Sequence, residues 1–273
     1  MTSARSAMVL RLACVMAALG PIAWRAAHAQ EFAGPQPAWP PLSSASLLEH
    51  GLPHAAGGLD ASAFTTRWYG LPELVTRTVA LGAGWRALRL GLGVSQTGEP
   101  DLGWTALALG AGAAGRSGGA GVRVVARRDR VSDFRFDAPP GAAGVEVGAG
   151  VWLEAGEGVR LWASAPQLET VGAAPPLRRS LAVGGALELG ELRAWLIRRA
   201  VPGVERGLRG EHVAGAAIMG APLGAWLEVE DQPLRGGFGV VARLAAWSVS
   251  GSVSSHPVLG ETFRAGIAAG GGR

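Results

Sequence analysis

In the stretch GWRALRLGLGVS, Gly84 to Ser95, the residues Leu88, Leu90, Leu92 and Val94 fall on every second position, separated by Arg89, Gly91 and Gly93. Successive side chains of a β-strand point to opposite faces. This spacing therefore sets four aliphatic side chains on one face and an arginine and two glycines on the other. The pattern recurs along the chain. GVEVGAGVWLEA sets Val145, Val147, Ala149, Val151 and Leu153 against Glu146, Gly148, Gly150, Trp152 and Glu154. VRLWASA, LAVGGALEL and LGAWLEVED repeat it around Val159, Leu181 and Leu223. From Ala61 onward no apolar period of 3.6 competes with it, so the chain reads as all-β.

Between 61 and 270 the alternation divides into about fourteen segments of roughly 7–12 residues, close to the ~9–11 of a tilted strand crossing a bilayer. The connections alternate in length. RDRVSDFRFDAPPGA is long and AGEG short; PQLETVGAAPPLR is long and Gly190 alone separates the next two strands; AVPGVERGLRG is long and GAP short. Outer-membrane barrels have tight turns at one end and longer loops at the other. Extended in both directions, this rhythm places both termini at the short-turn end. GAGAAGRSGGAG falls at that end and reads as too long for it. A soluble β-sandwich shares the alternation, but its solvent face would carry abundant charge, and here that face is dominated by Gly and Ala. Trp68, Tyr69, Trp104 and Trp247 are expected at the membrane interfaces.

A leader explains the first residues. Arg5 precedes the apolar run LACVMAALGPIA, and Ala27–Ala29 forms a small-x-small cleavage site before Gln30. Cleavage there removes Arg5, Arg11 and Arg25 and leaves 25 − 3 = 22 basic against 21 acidic residues. The sequence pI of 10.7 therefore does not describe a basic surface, and nucleic-acid binding has no electrostatic support. Cys14 leaves with the leader, so no disulfide or thiol chemistry is expected.

Residues 30–60 are rich in proline, alanine and serine and read as an irregular N-terminal arm or plug; SLLE, Ser46 to Glu49, could cap one helical turn before Pro53. The segment AAGGLDASAFTTRWYGLPEL, Ala55 to Leu74, resembles the start of the FadL and PorV-like outer-membrane barrels through its Gly-Gly and Asp60–Ala63 (DASA) motifs. Tyr69–Leu74 stands where those chains carry an Asn-Pro turn. The resemblance implies a barrel of about fourteen strands with an N-terminal plug, in a group that includes hydrophobic-compound transporters and secretion accessories. The last expected strand carries Phe263 but does not finish on an aromatic residue.

No catalytic constellation emerges. GAGAAG, Gly110 to Gly115, matches a dinucleotide-binding glycine pattern but leads into a turn and a strand where that site needs a helix. His50 and His54 are interrupted by Pro53 and read as ordinary exposed histidines rather than zinc ligands. Ser255 and His256, adjacent on one strand, point to opposite faces. Asp129, Asp133 and Asp137 lie among arginines and read as a solvated loop rather than a calcium site. No metal or cofactor is expected.

The remaining signal is a set of charges opposite the aliphatic face: Arg89, Arg123, Arg127, Glu146, Glu154, Arg160, Glu188, Glu228, Glu230 and Arg264. On a lipid face each would cost ~2–4 kcal/mol at mid-depth, so a barrel turns them inward. Their signs nearly balance, which favours Arg–Glu pairs holding a filled barrel together over a selectivity lining for a polar or amphipathic solute.

The sequence thus predicts a leader over 1–29, an arm over 30–60, and an antiparallel transmembrane β-barrel over 61–273. About fourteen strands are expected, within a range of about twelve to sixteen. The expected role is non-enzymatic, in the outer membrane: passive transport of small, hydrophobic or amphipathic molecules, or a structural or assembly part of the envelope, with outer-membrane lipid as its surroundings. The competing reading is a secreted or periplasmic soluble sandwich that binds a partner. The sequence names no protein partner.

Overall fold

The computed structural model describes residues 44–54, 57–99, 102–131, 143–172, 180–202, 208–231 and 234–270. The leader lies outside them, as do Asp133 and Asp137. Fourteen antiparallel strands close on themselves. They are β1 (Gly58–Arg67), β2 (Val75–Trp85), β3 (Leu88–Gly98), β4 (Leu102–Ala114), β5 (Gly118–Val131), β6 (Ala143–Gly156) and β7 (Val159–Gly172), followed by β8 (Ser180–Leu189), β9 (Leu192–Pro202), β10 (Leu208–Ile218), β11 (Leu223–Asp231), β12 (Leu234–Leu244), β13 (Trp247–His256) and β14 (Gly260–Gly270). Pairing of Asp60–Arg67 with Phe263–Gly270 seals β1 to β14, so the sheet has no edge and every strand finds a partner on both sides.

The face assignment answers the question raised by Gly84–Ser95. Leu88, Leu90, Leu92 and Val94 are 45%, 49%, 42% and 48% exposed on the outer wall, while Arg89 and Ser95 are 2% and 0% exposed inside. A soluble sheet would bury the leucines and expose the arginine. The inversion holds for Val145, Val147, Val151 and Leu153 against Glu146 and Trp152, and for Leu223, Leu227 and Val229 against Trp226. Hydrocarbon around the wall is the medium in which such a surface is stable, because apolar area in water costs roughly 25 cal/mol per Å². The soluble-sandwich alternative fails on this point.

The connections 86–87, 115–117, 157–158, 190–191, 219–222 and 245–246 are all short and lie at one end, where β1 begins and β14 finishes. At the other end the β1–β2 connection, 68–74, is long, but β3–β4, β11–β12 and β13–β14 are joined there by only 99–101, 232–233 and 257–259, so the expected alternation of short and long connections does not run through the whole chain. The run GAGAAGRSGGAG, expected as an overlong turn, is mostly strand. Gly112 pairs with Gly121 and Ala114 with Gly119, and only residues 115–117 turn.

A short helix, α1 (Ser44–His50), sits inside the barrel against β1–β7. It lies in the middle of the expected arm, extending the helical turn expected at Ser46–Glu49, and strand structure begins at Gly58 rather than near 61. Gly51 ends the helix in the left-handed region, φ +69°, with its N–H donated to the Leu47 carbonyl. Inward glycines make the room. A Cβ on Gly110 would lie 2.7 Å from Leu47 Cγ, one on Gly121 2.8 Å from the Gly51 carbonyl, and one on Gly91 3.2 Å from Leu48 Cδ2. Leu47, Leu48 and Leu52 are consequently buried on a floor of bare backbone.

Candidate functional site

Closure of the sheet encloses an interior whose two halves differ. Around α1, inward side chains grip the plug by its carbonyls. The Arg123 guanidinium donates to the Leu48 and Glu49 carbonyls at 2.6 and 2.9 Å and to the Pro166 carbonyl at 3.0 Å. The first two bonds satisfy the C-terminal end of α1, where the helix leaves acceptors unpaired and favours a cation. The third exists because Pro166 sits at a register shift between β7 and β8 that takes its carbonyl out of the ladder. Arg89 donates Nε–H to the His54 carbonyl at 2.8 Å, and Trp152 donates Nε1–H to the Pro53 carbonyl at 2.6 Å. Asp60 on β1 accepts from Ser44 and faces His54 Nε2 at 3.2 Å. His54 is thus buried rather than exposed, and the ring of His50 lies 6.2 Å from that of Trp162. Among the described residues no cluster of His, Cys, Asp or Glu could hold a metal.

The charges singled out in the sequence form three groups. Glu146 joins Arg123 and Arg127, each at 3.3 Å, and accepts from Gln167 at 3.3 Å. Nearer the short-turn end, Arg160 binds Glu154 at 2.6 Å and approaches Glu188 at 3.9 Å, with Arg193 4.0 Å beyond. Toward the long-loop end, Glu230 lies 4.0 Å from both Arg199 and Arg235. There the Arg264 guanidinium sits 5.5 Å over the Trp68 ring and feels the charge of Glu228. Arg89 stands apart, committed to backbone carbonyls.

Sequence reasoning missed Arg193, Arg199, Glu211 and Arg235. Their parity with Trp195 and Val213 was available, but Ile197 turned inward and Arg198 outward breaks the simple polarity rule on β9. Two of the expected interfacial aromatics also turn inward. Trp104 shares the inner row of Thr97, and Trp68 donates Nε1–H to the buried Thr76 at 2.8 Å. Trp247 does stand on the outer wall at the short-turn end, accompanied by Trp85.

Four inward tryptophans lie directly across from glycines: Trp152 from Gly119, Trp162 from Gly184, Trp195 from Gly215 and Trp226 from Gly239. Each indole covers its glycine, and a Cβ at any of the four would overlap the ring. Together with Leu52, Ile197 and Val213 they make a buried apolar belt from the plug to β11.

Past Trp226 the wall becomes shallow. β13 presents Ser248, Ser250, Ser252 and Ser254 inward. They are flanked across the register by Gly237 and Gly239 of β12 and by Gly266 and Ala268 of β14. The four hydroxyls follow one another at about 6.6–6.8 Å. They are half-buried, whereas the inward residues beside α1 are fully buried. One half of the interior is therefore filled by the plug, and among the described residues the β12–β14 wall faces the apolar belt with a row of hydroxyls beside glycines, interrupted by Val241 and Arg243 opposite Ser250 and Ser248 and by Arg264 opposite Ser252.

No protein-family model matches the chain, and no curated protein matches it. Solved structures do. The toluene transporter TbuX of Ralstonia pickettii aligns with a TM-score of 0.56 at 12% identity, over 84% of this chain and 94% of its own. The CymD monoaromatic hydrocarbon channel aligns with a TM-score of 0.55 at 12% identity, over 85% and 92%. A mutant Rh. blastica porin aligns at only 0.41, and nothing rests on it. At such identity the likeness is one of fold, and at that level the resemblance to FadL-like barrels read from Ala55–Leu74 is borne out.

Proposed function

We propose that this chain is a passive outer-membrane channel for small molecules with an apolar body and a limited number of polar groups. The observation that carries this reading is the asymmetry of the interior: α1 occupies the β1–β7 side, while the β12–β14 wall carries a row of serines beside Gly237, Gly239, Gly266 and Ala268, with Val241, Arg243 and Arg264 among its larger inward side chains. An apolar solute would slide against Trp226 and Val241, and its polar group would exchange hydrogen bonds along the serines. That barrels of the same fold carry toluene and monoaromatic hydrocarbons supports an apolar body. The ten charges then divide in role. Arg89, Arg123, Arg127 and Glu146 hold the plug, Glu154, Arg160 and Glu188 brace the short-turn end, and Glu228, Glu230 and Arg264 line the long-loop approach to the serine row. This is a transport role without chemistry.

Single-channel recording of the folded barrel tests the proposal, with Ser252→Cys as the probe. The only natural cysteine, Cys14, lies in the expected leader, so the introduced thiol is unique in the mature chain. Reaction with a bulky thiol reagent should reduce conductance and solute flux at least about two-fold. A barrel that conducts nothing, or a thiol that reacts without effect on flux, would favour the structural or assembly role.

A further inference from the structure

The outer wall changes chemistry at a single cross-strand row. Thr65 of β1 pairs with Arg77 of β2, Arg77 with Gln96 of β3, Gln96 with Thr105 of β4, and Thr105 with Arg128 of β5. All five point outward, and all but Thr105, which is half-buried, are exposed. Two residues nearer the short-turn end the next row contains Val79, Val94 and Leu107, and the row after it Leu81, Leu92 and Leu109. From Arg77 the aliphatic alternation of β2 runs to Trp85, eight residues and about 27 Å along the strand. At the usual strand tilt of ~35–45° that length rises about 19–22 Å, most of an apolar band of ≈ 25 Å, which puts the arginine row near its upper boundary.

Arg77 and Arg128 are three strand spacings apart, about 14 Å. Between them stand only uncharged hydrogen-bonding groups, the Gln96 amide and the Thr105 hydroxyl. Arg67 lies one step higher on β1 and is likewise outward. None of the three arginines forms an ion pair among the described residues. Glu73 and Glu99 lie outside the strands, in the connections at this end. A guanidinium held at the edge of hydrocarbon binds phosphate through parallel N–H donors and, unlike ammonium, matches its geometry bidentately.

From this arrangement we infer that the outer surface of β1–β5 docks a lipid of the long-loop leaflet whose hydroxyl-rich headgroup carries phosphate. Phosphates meet Arg77 and Arg128, headgroup hydroxyls meet Gln96 and Thr105, and the acyl chains lie over the aliphatic rows below. The site lies on the opposite side of the wall from the serine row and does not depend on what, if anything, the barrel transports.

The test is native mass spectrometry of the folded barrel in detergent with three lipids: a bisphosphorylated, acylated glucosamine disaccharide, its dephosphorylated form, and phosphatidylcholine. Retention of the bisphosphorylated lipid should exceed that of the other two by about ten-fold, equivalent to ~1.4 kcal/mol. Arg77→Gln with Arg128→Gln should abolish the preference, while Arg116→Gln in a short-turn connection should leave it intact. Inorganic phosphate at the same concentration should not displace the lipid, because the acyl contacts are missing. Equal retention of the dephosphorylated lipid, full displacement by inorganic phosphate, or a double variant that binds like the parent would overturn the inference. Heat-dependent gel mobility checks that each variant folds. The parent protein supplies an independent reading: raising salt to ~0.5 M should weaken retention of the bisphosphorylated lipid, and retention that does not fall would also count against the site.

Discussion

Arg123 gathers four acceptors at one guanidinium: two helix carbonyls, one bulge carbonyl and the Glu146 carboxylate. Arg123→Ala would remove a buried donor from the three carbonyls and leave Glu146 with only Arg127 and Gln167, at a cost of about 3–5 kcal/mol. The expected readout is a lower temperature for the heat-induced shift in gel mobility. Arg123→Lys should recover only part of the loss, since an ammonium cannot reach along both directions of the fork. Glycines offer a sharper contrast. Gly150→Ala puts a methyl 2.5 Å from the His50 carbonyl and 2.8 Å from Leu52 Cδ2, whereas at Gly236 nothing lies within 4 Å. The first substitution should weaken plug packing by about 1–3 kcal/mol. Gly236→Ala should be neutral or add about 0.5–1 kcal/mol, because a strand glycine loses more backbone entropy on folding. Parallel thermal melts of the two variants check the pair, and equal behaviour would contradict the account of the glycine floor. The inwardness of Arg123 was legible from its position between Val122 and Val124. Its target was not, since the Leu48 and Glu49 carbonyls lie more than seventy residues away.

At the scale of the element, each strand is an alternation whose two faces obey opposite rules, and substitutions should reveal which medium each face meets. Leu92→Arg lies mid-band on the outer wall and should cost ~2–4 kcal/mol in the folding of the barrel into bilayers, while charge near the rim, as at Arg77, costs only ~0–1 kcal/mol. Refolding into vesicles followed by chemical denaturation measures this difference. The plug obeys packing rules instead. Leu48→Ala empties a fully buried site above Gly91 and should cost about 2–5 kcal/mol. The alternation revealed the strands because period two survives any tertiary context. It misjudged Gly110–Gly121, where a glycine run reads locally as a turn. Those glycines continue β4 and β5 because α1 and Gly51 lie against them, a demand imposed by another element.

For the whole molecule, closure is the property that organises the rest. Outer-membrane fractionation followed by comparison of unboiled and boiled samples should show the chain in the membrane fraction with faster mobility before heating. Recovery in the soluble periplasmic fraction with no shift would contradict the barrel in its membrane. The sequence by itself determined the β period, the lipid-like face and the number of strands, and hence a barrel of about this size, because each of these is written in spacing along one chain. Parity within a strand singled out ten charges for the inner face and passed over Arg193, Arg199, Glu211 and Arg235. Only the tertiary structure decided that α1 fills the β1–β7 half, that Trp152, Trp162, Trp195 and Trp226 cover glycines on neighbouring strands, and that the β12–β14 wall remains shallow. Those features depend on the register between strands and on where the plug comes to rest. Register and docking are set by contacts between residues far apart in sequence, which no local period records.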